Sequence, residues 1–168
     1  MTELLLIGGR SGVGKTSVSL AVHEILVRDG IRHAVIEGDY LDLAHPAPQP
    51  GFAERNLRTL WSAYAAVGYE RLVYSQTVSV LQVADIRDAV DPGARVTPVL
   101  LTATDTEIEH RLRRRESTPE SLAIHVERSN RMALRLDAEA DAHAIRIATD
   151  GKSVSDVAKA IVALPHWT

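Results

Sequence analysis

The stretch from Leu4 to Thr16 constrains this chain more than any other. Four apolar residues, Leu4 to Ile7, read as a short buried strand; a glycine-rich turn follows, and then a helix begins. Gly9 to Thr16 fits the pattern G-x-x-x-x-G-K-[ST]. Its spacing has a chemical reason. The clustered phosphates of a nucleotide need many donors in a small volume, and glycines let successive backbone N–H groups turn toward one anion. The helix opening near Gly14 adds its positive end. Lys15 reaches phosphate oxygens, and the Thr16 hydroxyl suits Mg²⁺. Gly9, Arg10, Ser11, Gly12, Val13, Gly14, Lys15, Thr16 and Ser17 are therefore the expected phosphate-binding residues.

A 168-residue chain can bury one sizeable core, so a single domain over 1–168 is expected. The net charge of −3 argues against a general nucleic-acid binder, which carries a basic excess. There is no cysteine, which removes disulfides, thiol catalysis and thiolate-bound zinc. The apolar run at 4–7 is too short for a membrane span or a secretory leader, and no later run is long enough either. The expectation is a soluble cytoplasmic protein without membrane or nucleic-acid partners.

Strand and helix patterns alternate along the chain. Strands are expected at 3–8, 33–37, 70–75, 96–101 and 144–148. The first helix runs from Gly14 to about Arg28, with Val18, Ala21, Val22 and Ile25 at helical spacing. A loop with prolines at 46, 48 and 50 follows the second strand. The next helix spans 53–67, with Leu57, Leu60, Trp61 and Tyr64 on one face, and another spans 77–90. Thr104 and Glu107 form a capping box for a helix carrying Arg111, Arg113, Arg114 and Arg115. Pro119 opens a long helix to about Leu136. Ser153 starts the last, with Val154, Val157, Ala158, Ile161 and Val162 facing inward. Alternation of this kind predicts a three-layer α/β/α sandwich with a five-stranded parallel sheet; with the phosphate loop this is a phosphate-loop NTPase fold, and the arginines at 111, 113, 114 and 115 look like a helical lid over about 105–130.

Glu37-Gly38-Asp39 ends the second strand, on the edge where open α/β sheets bind ligands. Asp39 there can take a proton from a hydroxyl or hold a water on Mg²⁺. Arg111 and Arg115 are the arginines best placed to close over a transferring phosphoryl group, because guanidinium forks match its oxygens. Arg55, Asn56 and Arg58 follow the proline loop and suit an anionic or polyhydroxyl acceptor. Ser75 ends the third strand, where many phosphate-loop ATPases carry an acid, and this absence counts against motor ATPases and helicases. The seven histidines show no metal-ligand spacing, so zinc is not expected.

With these residues in place, the chain resembles the small phosphate-loop kinases of the nucleoside-monophosphate-kinase-like superfamily, and most of all the adenylylsulfate kinases. Glu37-Gly38-Asp39-Tyr40 is similar to their Asp-Gly-Asp-Asn segment, and Arg55-Asn56-Leu57-Arg58 to a helix lining their substrate pocket. The 149–154 stretch is similar to the loop that holds adenine. The resemblance implies ATP and Mg²⁺ as cofactors, with Asp150, Gly151 and Val154 at the base. It implies Lys15, Asp39, Arg111 and Arg115 as catalytic residues, and an acceptor near Asp39, Arg55, Asn56 and Ser75. Related kinases are often dimers, so a homodimer is a further implication. The segment after Ser75 and the proline loop depart from the adenylylsulfate kinase pattern, so the resemblance does not carry the substrate. The expected function is ATP-dependent transfer of a phosphoryl group to a hydroxyl of a small molecule. The alternative is a nucleotide-binding regulatory ATPase without such an acceptor.

Overall fold

The computed structural model of the chain describes residues 1–167. Five strands form one parallel sheet: β1 (Glu3–Gly8), β2 (Ala34–Glu37), β3 (Arg71–Ser75), β4 (Arg95–Thr102) and β5 (Ile145–Ala148). Their spatial order is β2-β3-β1-β4-β5. β1 is central, pairing Ile7 with Ser75 on one side and with Val99 on the other. A strand flanked on both edges and covered on both faces needs apolar residues at every position. The unbroken run Leu4-Leu5-Leu6-Ile7, fully buried, satisfies that.

Six helices cover the sheet: α1 (Lys15–Arg28), α2 (Phe52–Ala66), α3 (Val83–Val90), α4 (Asp105–Arg113), α5 (Pro119–Glu139) and α6 (Val154–Val162). Strand alternation sorts the core into two layers. Leu5, Ile7, Val73, Val99 and Leu101 point to α1, α4 and α6, where they meet Val18, Val22, Ile108, Leu112 and Ile161. Leu4, Leu6, Leu72 and Tyr74 point to α2 and α3, where they meet Leu57, Trp61 and Ile86. A third cluster seats Leu136 of α5 on Leu100 and Val80. Among the described residues no helix is long and apolar enough to cross a membrane.

The structure corrects the sequence expectations at several places. The helix expected over 77–90 is only its second half. Residues 76–78 turn, a 3₁₀ segment spans Ser79–Leu81, and α3 starts at Val83. The cause is local: Gly9 donates to the Thr77 carbonyl, and the Thr77 N–H donates to Asp39. Both backbone groups of Thr77 are thereby taken by other segments, and a helix cannot use them. Leu60 does not share the buried face of α2; it is 44% exposed, while Leu57 and Trp61 carry the contact. Val154 likewise lies outside the core, 43% exposed at the start of α6. The segment expected as a lid is helical, as α4 and α5. Ile108 and Leu112 of α4 are buried in the main core.

Candidate active site

β1 delivers the chain into the glycine-rich loop at the carboxyl edge of the sheet. Gly9 has φ of 144°, and a Cβ there would lie 2.8 Å from the Leu101 carbonyl oxygen. No side chain fits, so glycine is demanded by both backbone and space. Gly14, at φ 102°, caps α1 in the left-handed region and turns the chain directly into the helix. Lys15 and Thr16 thus begin α1 rather than end the loop.

A cavity of about 670 Å³ opens above this loop. Ser11 to Val18 form its floor. Lys15 is 9% exposed, and among the described residues no carboxylate lies within 4.0 Å of its ammonium. Burial lowers its pKa, Asp39 and Glu37 act against that through space, and Arg115 adds to it. A buried, unpaired ammonium is costly unless the site supplies it an anion.

The Glu37-Gly38-Asp39 turn borders one side, where Asp39 lines the cavity and Glu37 stands behind Thr16. Thr16 Oγ1 donates to Glu37 Oε2 at 3.0 Å. Asp39 lines the cavity and is held at both oxygens, by the Thr77 N–H and by the Thr77 hydroxyl, each at 3.1 Å. Glu37 and Thr77 were not in the expected site. Glu37 ends β2 and Asp39 lies in the 3₁₀ turn Gly38–Tyr40 that follows, so their place at the carboxyl edge of the sheet was the available signal. Thr77 left none, because its role depends on the irregular turn described above.

Arg111 and Arg115 close the other side. Arg111 donates to Glu107 at 2.8 Å, to the Val13 carbonyl at 3.1 Å and to Thr149 Oγ1 at 3.0 Å. It therefore ties α4, the loop and the β5–α6 turn together. Arg115 Nη2 reaches Ser11 Oγ at 3.4 Å, and its side chain is half exposed. Arg113 turns away to Glu109. At the far end the wall is Thr149, Lys152, Ser153, Val154 and Val157.

Other expected residues are placed differently. The Arg10 guanidinium, 4% exposed, points away from the cavity floor to Asp105, at 2.6 Å. Its side chain is committed there, and the cavity wall leaves it out. The Asp150 carboxylate accepts from the Thr104 hydroxyl at 2.6 Å and from the Thr104 N–H, which lowers its pKa and ties the 149–152 turn to the start of α4. Gly151 (φ 65°) makes that turn and, with Asp150, lies just off the cavity wall. Arg55, Asn56 and Ser75 are also outside the wall. Arg55 rests its guanidinium over the Phe52 ring, and Asn56 donates to the Leu41 carbonyl at 2.6 Å, pinning the proline loop to α2. Ser75 is fully buried, and among the described residues its hydroxyl has no hydrogen-bond partner.

No protein-family model matches the chain, and no curated protein matches it in sequence. Solved structures do match its whole fold. The tunicamycin resistance protein of Deinococcus radiodurans superposes with a TM-score of 0.67 at 20% identity, covering 100% of this chain and 98% of that one. The chain has the fold of the small-molecule phosphate-loop kinases. The Mycobacterium tuberculosis APS kinase CysC, solved with AMPPNP and APS, gives a TM-score of 0.59 at 22% identity over 96% of this chain and 95% of its own. Shikimate kinase of Acinetobacter baumannii, solved with shikimate, gives 0.62 at 15% identity over 96% and 92%. In this fold the carboxyl edge of the sheet, where the cavity lies, is the place for ligands.

Proposed function

We propose that this protein transfers the γ-phosphoryl group of ATP to a hydroxyl of a small molecule. The observation that carries the proposal is Lys15: a buried ammonium with, among the described residues, no carboxylate within 4.0 Å, on the floor of a 670 Å³ cavity whose rim holds Asp39. The volume suits a nucleotide with room for part of an acceptor. The loop N–H groups and Lys15 would hold the β- and γ-phosphates, and Val154 and Val157 offer an apolar wall for the base.

The donor set also fits Mg²⁺. Among the described residues no three His, Asp or Glu side chains converge as ligands, so a dedicated protein cage is absent. Mg²⁺ commonly keeps waters and binds phosphate with only one or two protein oxygens. Thr16 is such an oxygen. Its proton is already directed to Glu37, which leaves the hydroxyl lone pairs free. When bound, the ion would neutralise charge on the transferring phosphates.

Asp39 would receive the acceptor proton as the new phosphorus–oxygen bond forms, or hold a water for it. Thr77 fixes both its oxygens, so the carboxylate does not reorient. Arg115, half exposed at the rim, would pair with phosphoryl oxygens; Arg111, already bonded to the loop and to Thr149, would act mainly by holding the two walls together.

The test is ADP release from Mg·ATP across adenylylsulfate, shikimate, gluconate, tunicamycin and simple nucleosides, with Lys15→Ala and Asp39→Asn alongside. Stimulation by one acceptor class, abolished in Lys15→Ala and lowered at least about tenfold in Asp39→Asn, supports the reading. A flat panel with slow background hydrolysis overturns transfer and favours a regulatory nucleotide-binding protein.

A further inference from the structure

Arg10 sits inside the glycine-rich loop yet faces away from its cavity. Its guanidinium donates to Asp105 Oδ1 at 2.6 Å, to Asn130 Oδ1 at 3.0 Å and to the Ala103 carbonyl at 2.7 Å. The neighbouring helix residue, Ser129, is 1% exposed and donates its hydroxyl to the Ser11 carbonyl at 2.9 Å. Two consecutive residues of α5 thus grip two consecutive residues of the loop. In a trans peptide the C=O and the following N–H point in opposite directions. Holding the Ser11 carbonyl toward α5 therefore turns the Gly12 N–H away from α5.

We propose that Ser129 and Asn130 are positioning residues for the phosphate loop, setting the direction of its N–H groups through Ser11 and Arg10. This rests on the loop binding nucleotide phosphate, as proposed above. Without the grip, Arg10 keeps only Asp105 and the Ala103 carbonyl, and among the described residues the Ser11–Val13 stretch is held from outside the loop only by Arg111 at the Val13 carbonyl and Arg115 at the Ser11 hydroxyl. Its glycines then leave it many conformations, and a phosphate must select one of them. Neither α5 residue lines the nucleotide cavity, so they act on the loop and not on the ligand.

Two readouts on the full chain test this. The first needs no nucleotide: NMR-detected hydrogen exchange at the amides of Gly9 and Val13, which bond to the Thr77 and Arg10 carbonyls. The Ser129→Ala, Asn130→Ala double variant should exchange both at least about fivefold faster, while the Leu5 amide in the sheet core is unchanged. The second is affinity for Mg·AMPPNP, which should weaken about tenfold in the double variant and return to near wild type in Ser129→Thr, Asn130→Asp, which keeps a donor and an acceptor. Unchanged exchange at Gly9 and Val13 in a folded double variant overturns the proposal, as does a rescue variant as weak as the alanine one. Should the double variant not fold, Asn130→Ala alone, which removes one of three Arg10 contacts, carries the same two readouts. A wild-type protein that fails to bind Mg·AMPPNP overturns the kinase reading instead, and the exchange experiment still decides whether α5 holds the loop.

Discussion

Thr77 grips both oxygens of Asp39, one through its backbone N–H and one through its hydroxyl, each at 3.1 Å. The two residues are 38 positions apart and come from different strand ends. The Thr77 carbonyl meanwhile accepts from Gly9 at 3.2 Å. One residue therefore links the expected proton acceptor to the first residue of the phosphate loop.

Thr77→Val keeps the shape and the backbone bond but removes the hydroxyl donor. Turnover in the acceptor-stimulated assay should fall roughly tenfold, since a hydrogen bond to a charged group contributes about 1.5–3 kcal/mol. Affinity for Mg·ATP should change little, and Thr77→Ser should restore most of the rate. Steady-state kinetics that show the loss in nucleotide affinity instead would assign Thr77 to the loop and not to Asp39.

Gly38 lies between the two acidic residues, against Tyr74 of β3. Its backbone is not left-handed, so the demand for glycine is steric alone: a Cβ would sit inside the Tyr74 hydroxyl and ring edge. Tyr74 is 2% exposed and cannot swing out; burial and the surrounding acids, Asp39 first, push its phenol pKa well up, so it stays protonated. Gly38→Ala should cost about 1–3 kcal/mol in urea unfolding, the range for overpacked cores. In a Tyr74→Leu background the same change should cost less, and a double-mutant cycle reads the difference.

Trp167 is fully buried in the main core, with its indole N–H 3.4 Å from Thr97 Oγ1. It seals the end of the layer beneath α1 and α6. Trp167→Ala should lower stability by about 3–5 kcal/mol, as for other large-to-small changes in cores. Chemical denaturation checks this, and a loss under about 1 kcal/mol would show that the residue does not complete the core.

His33 is buried beside His23, with its Nε2 2.8 Å from His23 Nδ1 and its own Nδ1 bonded to the Ile31 carbonyl. Burial holds its pKa below the ordinary histidine value; the bond to Ile31 opposes this, and the nearby His23 and Arg71 reinforce it. The unfolded chain then binds the proton more readily than the folded one. The His33 contribution is complete above about pH 6.5 and is lost as pH falls through that value toward the lowered folded pKa. Unfolding free energies measured from pH 8 to pH 5 should fall in that window, and His33→Asn should flatten the fall. An identical slope in the variant would place the titration elsewhere.

The order of elements was legible because each buried strand announces itself by composition. Leu4 to Ile7 can only be a strand covered on both faces, and the alternation of strands and helices leads to a parallel sheet. The glycine-rich loop was legible for the same kind of reason, since its spacing is set by backbone geometry. Asp39, Lys15 and Thr16 line one cavity as a direct result. The half-helix at 76–82 was not legible. The turn there is set by the bonds of Gly9 and Asp39 to the Thr77 backbone, and both partners lie far from it in the sequence.

What the sequence determined alone is what depends on neighbours within a few residues: the strand and helix periods, the phosphate-loop turn, and a carboxylate at the end of β2. What only the tertiary structure decided is where long polar side chains end. Arg10 and Asp150 stand in stretches expected to touch the nucleotide, yet Arg10 closes on Asp105 and Asn130, and Asp150 on Thr104, across 95, 120 and 46 residues of chain. A guanidinium or a carboxylate entering a packed region takes whichever partner satisfies it there. Those partners are brought together by the folding of β4, α4 and α5 onto the loop, and spacing along the chain does not record that meeting.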